Sequence, residues 1–349
     1  MLQNASVWGW TTSGMESFEL CRTMWKDKST AAASKAVLAA WEGVYTLSLD
    51  SAEDYGSGYL SLTVGKGGNV KATGKLADGT SVSATSPLMY DEENGGFFVY
   101  LYAAPSAYKG GAFALGVGFE GSPETQRTLS DMGVAQWTSR NAEATGERGE
   151  GFDRMLEFSG AYYDKLNKLS AYYEQMRLSL DDMPTLAYTY KSTYFDDDTG
   201  RKVSESWLDE AEAVDTLSQD GLTVSVDEKG KLVVTKATKP EQDKETKEWQ
   251  YNGANDGALS LSFTQATGIF KGSYTFWYDY ESAYDDMTGK TTMSHTSKKV
   301  SFEGIMVQGA DSMDGFYLWD ATGVYEDEKT GKEKTYKYKE SYPVSLVAE

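Results

Sequence analysis

From Gly43 onward the chain alternates apolar and polar residues with a period of two. Tyr45, Leu47 and Leu49 oppose Val44, Thr46 and Ser48, and the same pattern recurs over residues 59–64, 70–76, 80–84, 97–102 and 111–119. Side chains that change face at every residue are the mark of a half-buried strand, so each run is predicted as one. The linkers support this. Gly65-Lys66-Gly67-Gly68-Asn69 is a glycine turn, and Asp78-Gly79 between alternating segments is a strong hairpin signal. A hairpin meander over residues 43–120 is therefore expected.

Two stretches carry a helical period instead. Residues 31–41 form an alanine-rich run with Val37, Leu38 and Trp41 at helical spacing, Ser29 or Thr30 as an N-cap and Gly43 as a stop. Tyr162, Tyr163, Leu166, Leu169, Tyr172, Tyr173 and Met176 fall at spacings of three and four, which predicts an amphipathic tyrosine-rich helix. The domain reading is an N-terminal helical segment (1–41) followed by one large antiparallel β domain (42–349). That domain would contain the meander 43–120, an irregular or helical insertion 121–184 and a second β region 185–349. The fold class is mainly β: a large antiparallel barrel or sandwich built from hairpins, with one N-terminal helix and one tyrosine-rich helix.

A turn signature recurs in the second β region. Asp197-Asp198-Thr199-Gly200-Arg201, Asp285-Asp286-Met287-Thr288-Gly289-Lys290 and Asp327-Glu328-Lys329-Thr330-Gly331-Lys332 place acidic residues before Thr-Gly-basic, and Asp227-Glu228-Lys229-Gly230-Lys231 is a shorter relative. An acidic side chain that accepts backbone N–H groups starts such a turn, and glycine supplies positive φ to close it. Each is predicted to be a hairpin tip. Calcium loops also use oxygen-rich turns, but the Asp-x-Asp-x-Asp-Gly spacing with a distal Glu is missing. Residues 239–247, charge-dense and containing Pro240, are expected to be an exposed hairpin connection.

Composition sharpens the class. The chain of 349 residues has 35 Gly, 24 Tyr and only 6 Pro, and 13% of it is aromatic, a usage that suits many strands joined by tight turns. A formal net charge of −20 disfavours nucleic acid and anionic lipid as partners. No apolar run approaches the roughly 18–20 residues of a membrane-spanning helix. The first residues lack the basic and apolar regions of a signal peptide, so the expectation is either a cytoplasmic chain or a mature or excised piece of a secreted protein. One cysteine (Cys21) forbids an intrachain disulfide, and one histidine (His295) excludes histidine-rich metal sites.

Two blocks carry a resemblance. The first is Gly58-Tyr59-Leu60-Ser61-Leu62-Thr63-Val64 leading to Gly74-Lys75-Leu76-Ala77-Asp78-Gly79-Thr80. The second runs from Leu259-Ser260-Leu261-Ser262-Phe263 through Gly268-Ile269-Phe270-Lys271-Gly272-Ser273 to Val300-Ser301-Phe302-Glu303-Gly304-Ile305-Met306-Val307-Gln308 and Gly315-Phe316-Tyr317-Leu318. In this order they resemble a β-rich module of very large predicted secreted or surface proteins from verrucomicrobial and related bacteria, over about residues 42–325. The resemblance implies an extracellular, non-enzymatic module and brings no catalytic residues with it. Residues 1–41 and 160–177 depart from it.

Chemistry is sparse by the same reading. His295, in a polar strand among hydroxyls, is expected to face solvent, and Cys21 to be a structural thiol. The acidic clusters sit at predicted tips, where water keeps carboxyl groups ionised. Glu303 is the one acid within a predicted strand whose burial would matter to a carboxylate-dependent glycosidase. No catalytic residue, metal ligand or cofactor is assigned. Aromatic residues offer more. Trp249, Trp277, Tyr280, Tyr317 and Trp319 lie on predicted strands where one face must leave rings at the surface, as glycan stacking or protein contact requires. The expected function is a non-catalytic extracellular or cell-surface module for assembly or adhesion. Its expected partners are copies of itself, other surface proteins or glycans, with no membrane span. A carbohydrate-binding module and a carboxylate-dependent glycosidase are the alternatives.

Overall fold

A computed structural model describes residues 6–10, 17–21, 25, 31–50, 55–91, 96–140, 151–180, 183–217, 222–327 and 331–349. The chain forms two compact units. The first comprises Met1–Asn167 with Thr264–Ile269 and Gly304–Gly315, and the second comprises Lys168–Phe263, Phe270–Glu303 and Phe316–Glu349. The physical reason is capacity. A strongly twisted sheet of about ten strands curls on itself, and further strands must begin another.

The first unit is a ten-stranded sheet. Across it the order is Ser81–Pro87, Asn69–Lys75, Gly58–Val64, Gly43–Asp50, Glu157–Tyr163, Thr128–Ser139, Phe113–Glu120, Gly96–Ala103 and Met89–Asp91, with Phe152–Met155 paired to Thr128–Ser139. The two ends of this order meet, because Ser81–Pro87 touches Gly96–Ala103, so the sheet is a nearly closed antiparallel barrel. The predicted alternation fills it: Tyr45, Leu47, Leu49, Leu60, Leu62, Val70, Val99, Leu101, Leu115 and Val117 are buried. Helix Ala31–Ala39 adds Leu38 to this core, and Trp41 just beyond it packs on Phe97 and Phe119. Gly43 then redirects the chain at φ 136°, a conformation side chains avoid, and the Tyr162 ring occupies the space a Cβ would need. The proposed caps Ser29 and Thr30 lie outside the described residues, as does the side chain of Cys21. Ser6–Trp10 and Ser17–Cys21 pair as a separate antiparallel ribbon.

The tyrosine-rich helix is a correction. Residues 157–163 are a barrel strand, residues 175–179 are a strand of the second unit, and only Leu169–Ala171 between them is a short 3-10 turn. Asp164 breaks the run, since its Oδ1 accepts the Leu166 N–H at 2.9 Å. Tyr162 and Tyr163 point to opposite faces of their strand. One lies under Arg127, and the other donates its hydroxyl to the Gln265 carbonyl. The supposed insertion 121–184 also holds Thr128–Ser139, whose buried Leu129, Ala135 and Trp137 make it a core strand.

The second unit is built on another ten-stranded sheet. Its order is Arg201–Ala211, Leu186–Asp196, Ile269–Asp285, Lys290–Met306, Ser312–Asp327, Lys332–Ala348, Gln175–Ser179, Val224–Val226 and Leu232–Val234, with Ser260–Thr264 paired to Ile269–Asp285. Lys191–Thr193 run parallel to Ala283–Asp285, an exception to the antiparallel pairing. Four of the strands have 16 or 17 residues, and each changes character along its length. Phe270, Tyr274, Phe276 and Tyr278 are buried, whereas residues 279–285 and 290–299 include no buried residue. Only Thr193 is buried in Leu186–Asp196, and only Ala211 in Arg201–Ala211. Among the described residues that part of the sheet is a single layer, with most of its residues half-buried or exposed.

The predicted tips are hairpin tips. Asp196 Oδ1 accepts the N–H groups of Asp198 and Thr199 at 2.9 and 3.0 Å, and Gly200 closes the turn at φ 67°. Asp285 Oδ1 does the same for Met287 and Thr288, and Asp227 Oδ1 for Lys229 and Lys231. In the third tip residues 328–330 lie outside the described residues, and Gly331 has φ 60°. Residues 239–247 hold another such turn. Asp243 Oδ1 accepts from Glu245 and Thr246, and Lys247 takes the left-handed position at φ 65°, closing a hairpin between Glu241–Gln242 and Trp249–Gln250.

Candidate functional site: a histidine stacked between tryptophans

Two of the aromatic candidates converge on the one histidine. Trp249 leaves the short hairpin, Trp277 comes from Ile269–Asp285, and His295 comes from Lys290–Met306. The imidazole stacks on Trp249 with ring centroids 3.6 Å apart and planes 11° apart, and on Trp277 at 5.2 Å and 16°. Trp277 is fixed in turn by its Nε1–H, which donates to the Asp256 carbonyl at 3.0 Å. His295 does not face solvent as its polar neighbours suggested, because its side chain is 15% exposed. The correction has a simple cause: the indoles that bury the ring come from distant parts of the chain.

Polar partners set the ring's proton. His295 Nδ1 is hydrogen-bonded to Asp279 Oδ1, and a carboxylate accepts only, so Nδ1 carries the hydrogen. Asp279 Oδ2 accepts the Tyr251 hydroxyl at 2.8 Å. Burial and then the hydrogen bond to Asp279 push the Tyr251 phenol above its ordinary range, so it stays a donor. Nε2 is buried and has no hydrogen-bond partner among the described residues. An Asp–His pair orients an imidazole as hydrolases do, but general-base work also needs a nucleophile at the far nitrogen. The chemical capacity of the cluster lies in its stacked aromatic rings and one oriented Asp–His hydrogen bond.

The other candidates separate from it. Tyr280 is half-buried and packs on Tyr188 at 4.1 Å. Tyr317 and Trp319 are corrections. They are 0% and 2% exposed, with Tyr317 stacked on Tyr342 and the Trp319 Nε1–H donated to the Thr185 carbonyl. Their strand Ser312–Asp327 turns this face inward over its covered half, which alternation alone does not reveal. Glu303 is mostly buried, its side chain 14% exposed, and ion-paired with Lys271 at 3.4 Å. The tip carboxylates of Asp196, Asp227 and Asp243 are held below the usual range by the backbone N–H groups they accept, and Asp285 chiefly by Lys202. They are ionised and engaged in turns. Among the described residues no cluster of His, Cys, Asp or Glu is placed to hold a metal ion, and no helix is long and apolar enough to cross a membrane.

The rows of phenols on the single-layer sheet were missed by sequence reasoning. Tyr188 donates to Asp209, Tyr190 to Glu281 and Tyr194 to Glu205 at 2.8–3.1 Å, while the Tyr190 ring packs on Trp207 at 4.9 Å. The bond to Glu281 pushes the Tyr190 phenol up to about 12. Alternating Tyr and acidic residues at 188–194 and 205–209 were the available signal.

Fold and cluster together define a mainly-β, hairpin-built chain with a half-buried histidine stacked between two indoles. No family model, curated protein or solved structure matches the chain.

Proposed function

We propose that this chain is a non-catalytic module of an extracellular or cell-surface protein, serving assembly of a surface structure or adhesion. The observation that carries the reading is the single-layer half of the second sheet. It presents mostly half-buried or exposed residues and an edge strand, Arg201–Ala211, on which Trp207 is 46% and Leu208 38% exposed. A long sheet with no second layer buries little apolar surface for its length, so it serves as a contact surface better than as a core. The resemblance of residues 42–325 to modules of large surface proteins points the same way. Sedimentation across protein and salt concentration tests it: concentration-dependent association, reduced by Trp207→Lys, is expected. A species that stays monomeric at high concentration and binds no surface protein or glycan would overturn the reading.

A second reading, glycan binding, rests on Trp249. Its ring is backed by His295 and flanked by exposed Gln250 and Asn252, whose side-chain amides are bonded at 3.2 Å. Rings rimmed by amides suit sugar faces. Retention on a glycan array that Trp249→Ala abolishes would favour it over assembly.

A further inference from the structure

We propose that Lys298 is a carbonyl-capture site, at which a small anionic α-oxo acid forms a reversible imine with the lysine amine. The side chain lies in a cavity of about 260 Å³ lined by Lys298, Trp319, Asp320, Glu210, Lys337 and Thr322, among others. Lys298 Nζ stands 3.7 Å from the centre of the Trp319 ring and donates to the Asp320 carbonyl at 3.1 Å. These contacts hold the amine within the cavity and deny it free access to water. Its side chain is 29% exposed, against 55% for Lys202, 61% for Lys271 and 64% for Lys339.

Loss of hydration holds the Lys298 ammonium below its ordinary range; the Asp320 carboxylate, 3.9 Å from Nζ, opposes this, and Lys339 and Lys337 add to the lowering. A desolvated lysine beside other cations is the arrangement that frees an amine lone pair for attack on a carbonyl. Lys337 in the cavity wall gives the ligand its charge preference, since an ammonium there pairs with a carboxylate next to the reacting carbonyl. Glu210, in the same wall, can relay protons.

The step balances without an oxidant. The Nζ lone pair bonds to the carbonyl carbon, and the C=O π pair moves to oxygen, which takes a proton, giving a carbinolamine. The nitrogen loses a proton and its lone pair forms C=N as the protonated hydroxyl leaves. One aldehyde and one amine give one imine and one water.

Glyoxylate with cyanoborohydride at neutral pH fixes each imine as a carboxymethyl-lysine, which peptide mass spectrometry then assigns. Lys298 is expected to label faster than the more exposed Lys271, Lys202 and Lys339, the reverse of the order that exposure alone would give. Propanal, a neutral aldehyde of similar size, should show less preference for Lys298, and Lys337→Gln should lower the glyoxylate preference by a larger factor than that for propanal. Labelling that follows exposure, with Lys298 slowest, would overturn the proposal. Equal preference for propanal and glyoxylate would overturn its anionic part. Lys298→Arg keeps the charge over Trp319 and should lose only the Lys298 adduct, with the other lysines as internal controls. New preferential labelling elsewhere in that variant would show that the cavity does not select the site.

Discussion

The two units solve the strand problem in opposite ways. In the first, a sheet curls until its ends meet and its alternating apolar residues share one interior, with Leu47, Leu60, Val70, Val99, Leu115 and Val117 at 2% exposure or less. In the second, strands of 16 or 17 residues extend about 55 Å at 3.3 Å per residue, far past the core that covers part of them. There the hydrophobic effect cannot hold the sheet, and cross-strand pairs do: Tyr190 on Trp207, Tyr188 on Tyr280, and phenols on carboxylates. Strand propensity and alternation do not require a core on both sides. They require only that each residue find a partner across the ladder.

Mutations should expose this contrast. Leu47→Ala opens a cavity in a closed core and should cost about 2–5 kcal/mol in denaturant unfolding. His295→Ala removes a ring stacked on both sides, and at roughly 0.5–1.5 kcal/mol per aromatic pair it should cost about 1–3 kcal/mol. It should also change the near-ultraviolet circular dichroism of Trp249 and Trp277. Trp207→Ala on the exposed edge should cost only about 0.2–1 kcal/mol, the scale of one cross-strand pair. A loss as large as that from Leu47→Ala would show that the single layer is covered in solution. At the tips, Gly200→Ala forces a side chain to adopt φ 67° and should cost about 1 kcal/mol, whereas Lys247→Gly should gain several tenths.

Acid should separate the units by sign. Asp196, Asp227, Asp243 and Asp285 have folded pKa values below the unfolded reference of 3.8. Their contribution is fully present above that reference and is lost as pH falls through the lowered values. Asp78 in the first unit runs the other way. Burial raises its pKa against the bonds from Thr80 and the Tyr108 hydroxyl, so its folding cost is relieved as pH falls through the raised value. Melting curves below pH 5 should therefore shift less in Asp196→Asn and Asp227→Asn proteins than in the parent. The Asp78→Asn protein should have lost the compensating gain.

What was legible in the sequence was local. The runs at 43–50, 58–64 and 69–75 announce themselves because each strand buries its own alternate residues, and the Asp-to-Gly tips because every bond in them spans four residues or fewer. Tyr162 to Met176 mimicked a helix because two strands and an Asx turn happen to reproduce its spacing. The histidine cluster was hidden for a different reason. Trp249 and His295 are 46 positions apart and belong to separate sheets, so nothing near either residue announces the other. Tyr317 and Trp319 show the remaining gap: a pleat tells which residues share a face, but not which part of a long strand is covered.

The left-handed tips have a practical corollary. Each reversal at Asp196–Arg201 and Asp285–Lys290 is closed by its own side-chain and main-chain bonds and projects from strands already registered along their length. A foreign peptide spliced between Asp198 and Thr199, or between Met287 and Thr288, would be carried outward on a stiff ribbon without entering a core. The same geometry that leaves the sheet half naked makes its ends natural ports for grafted epitopes.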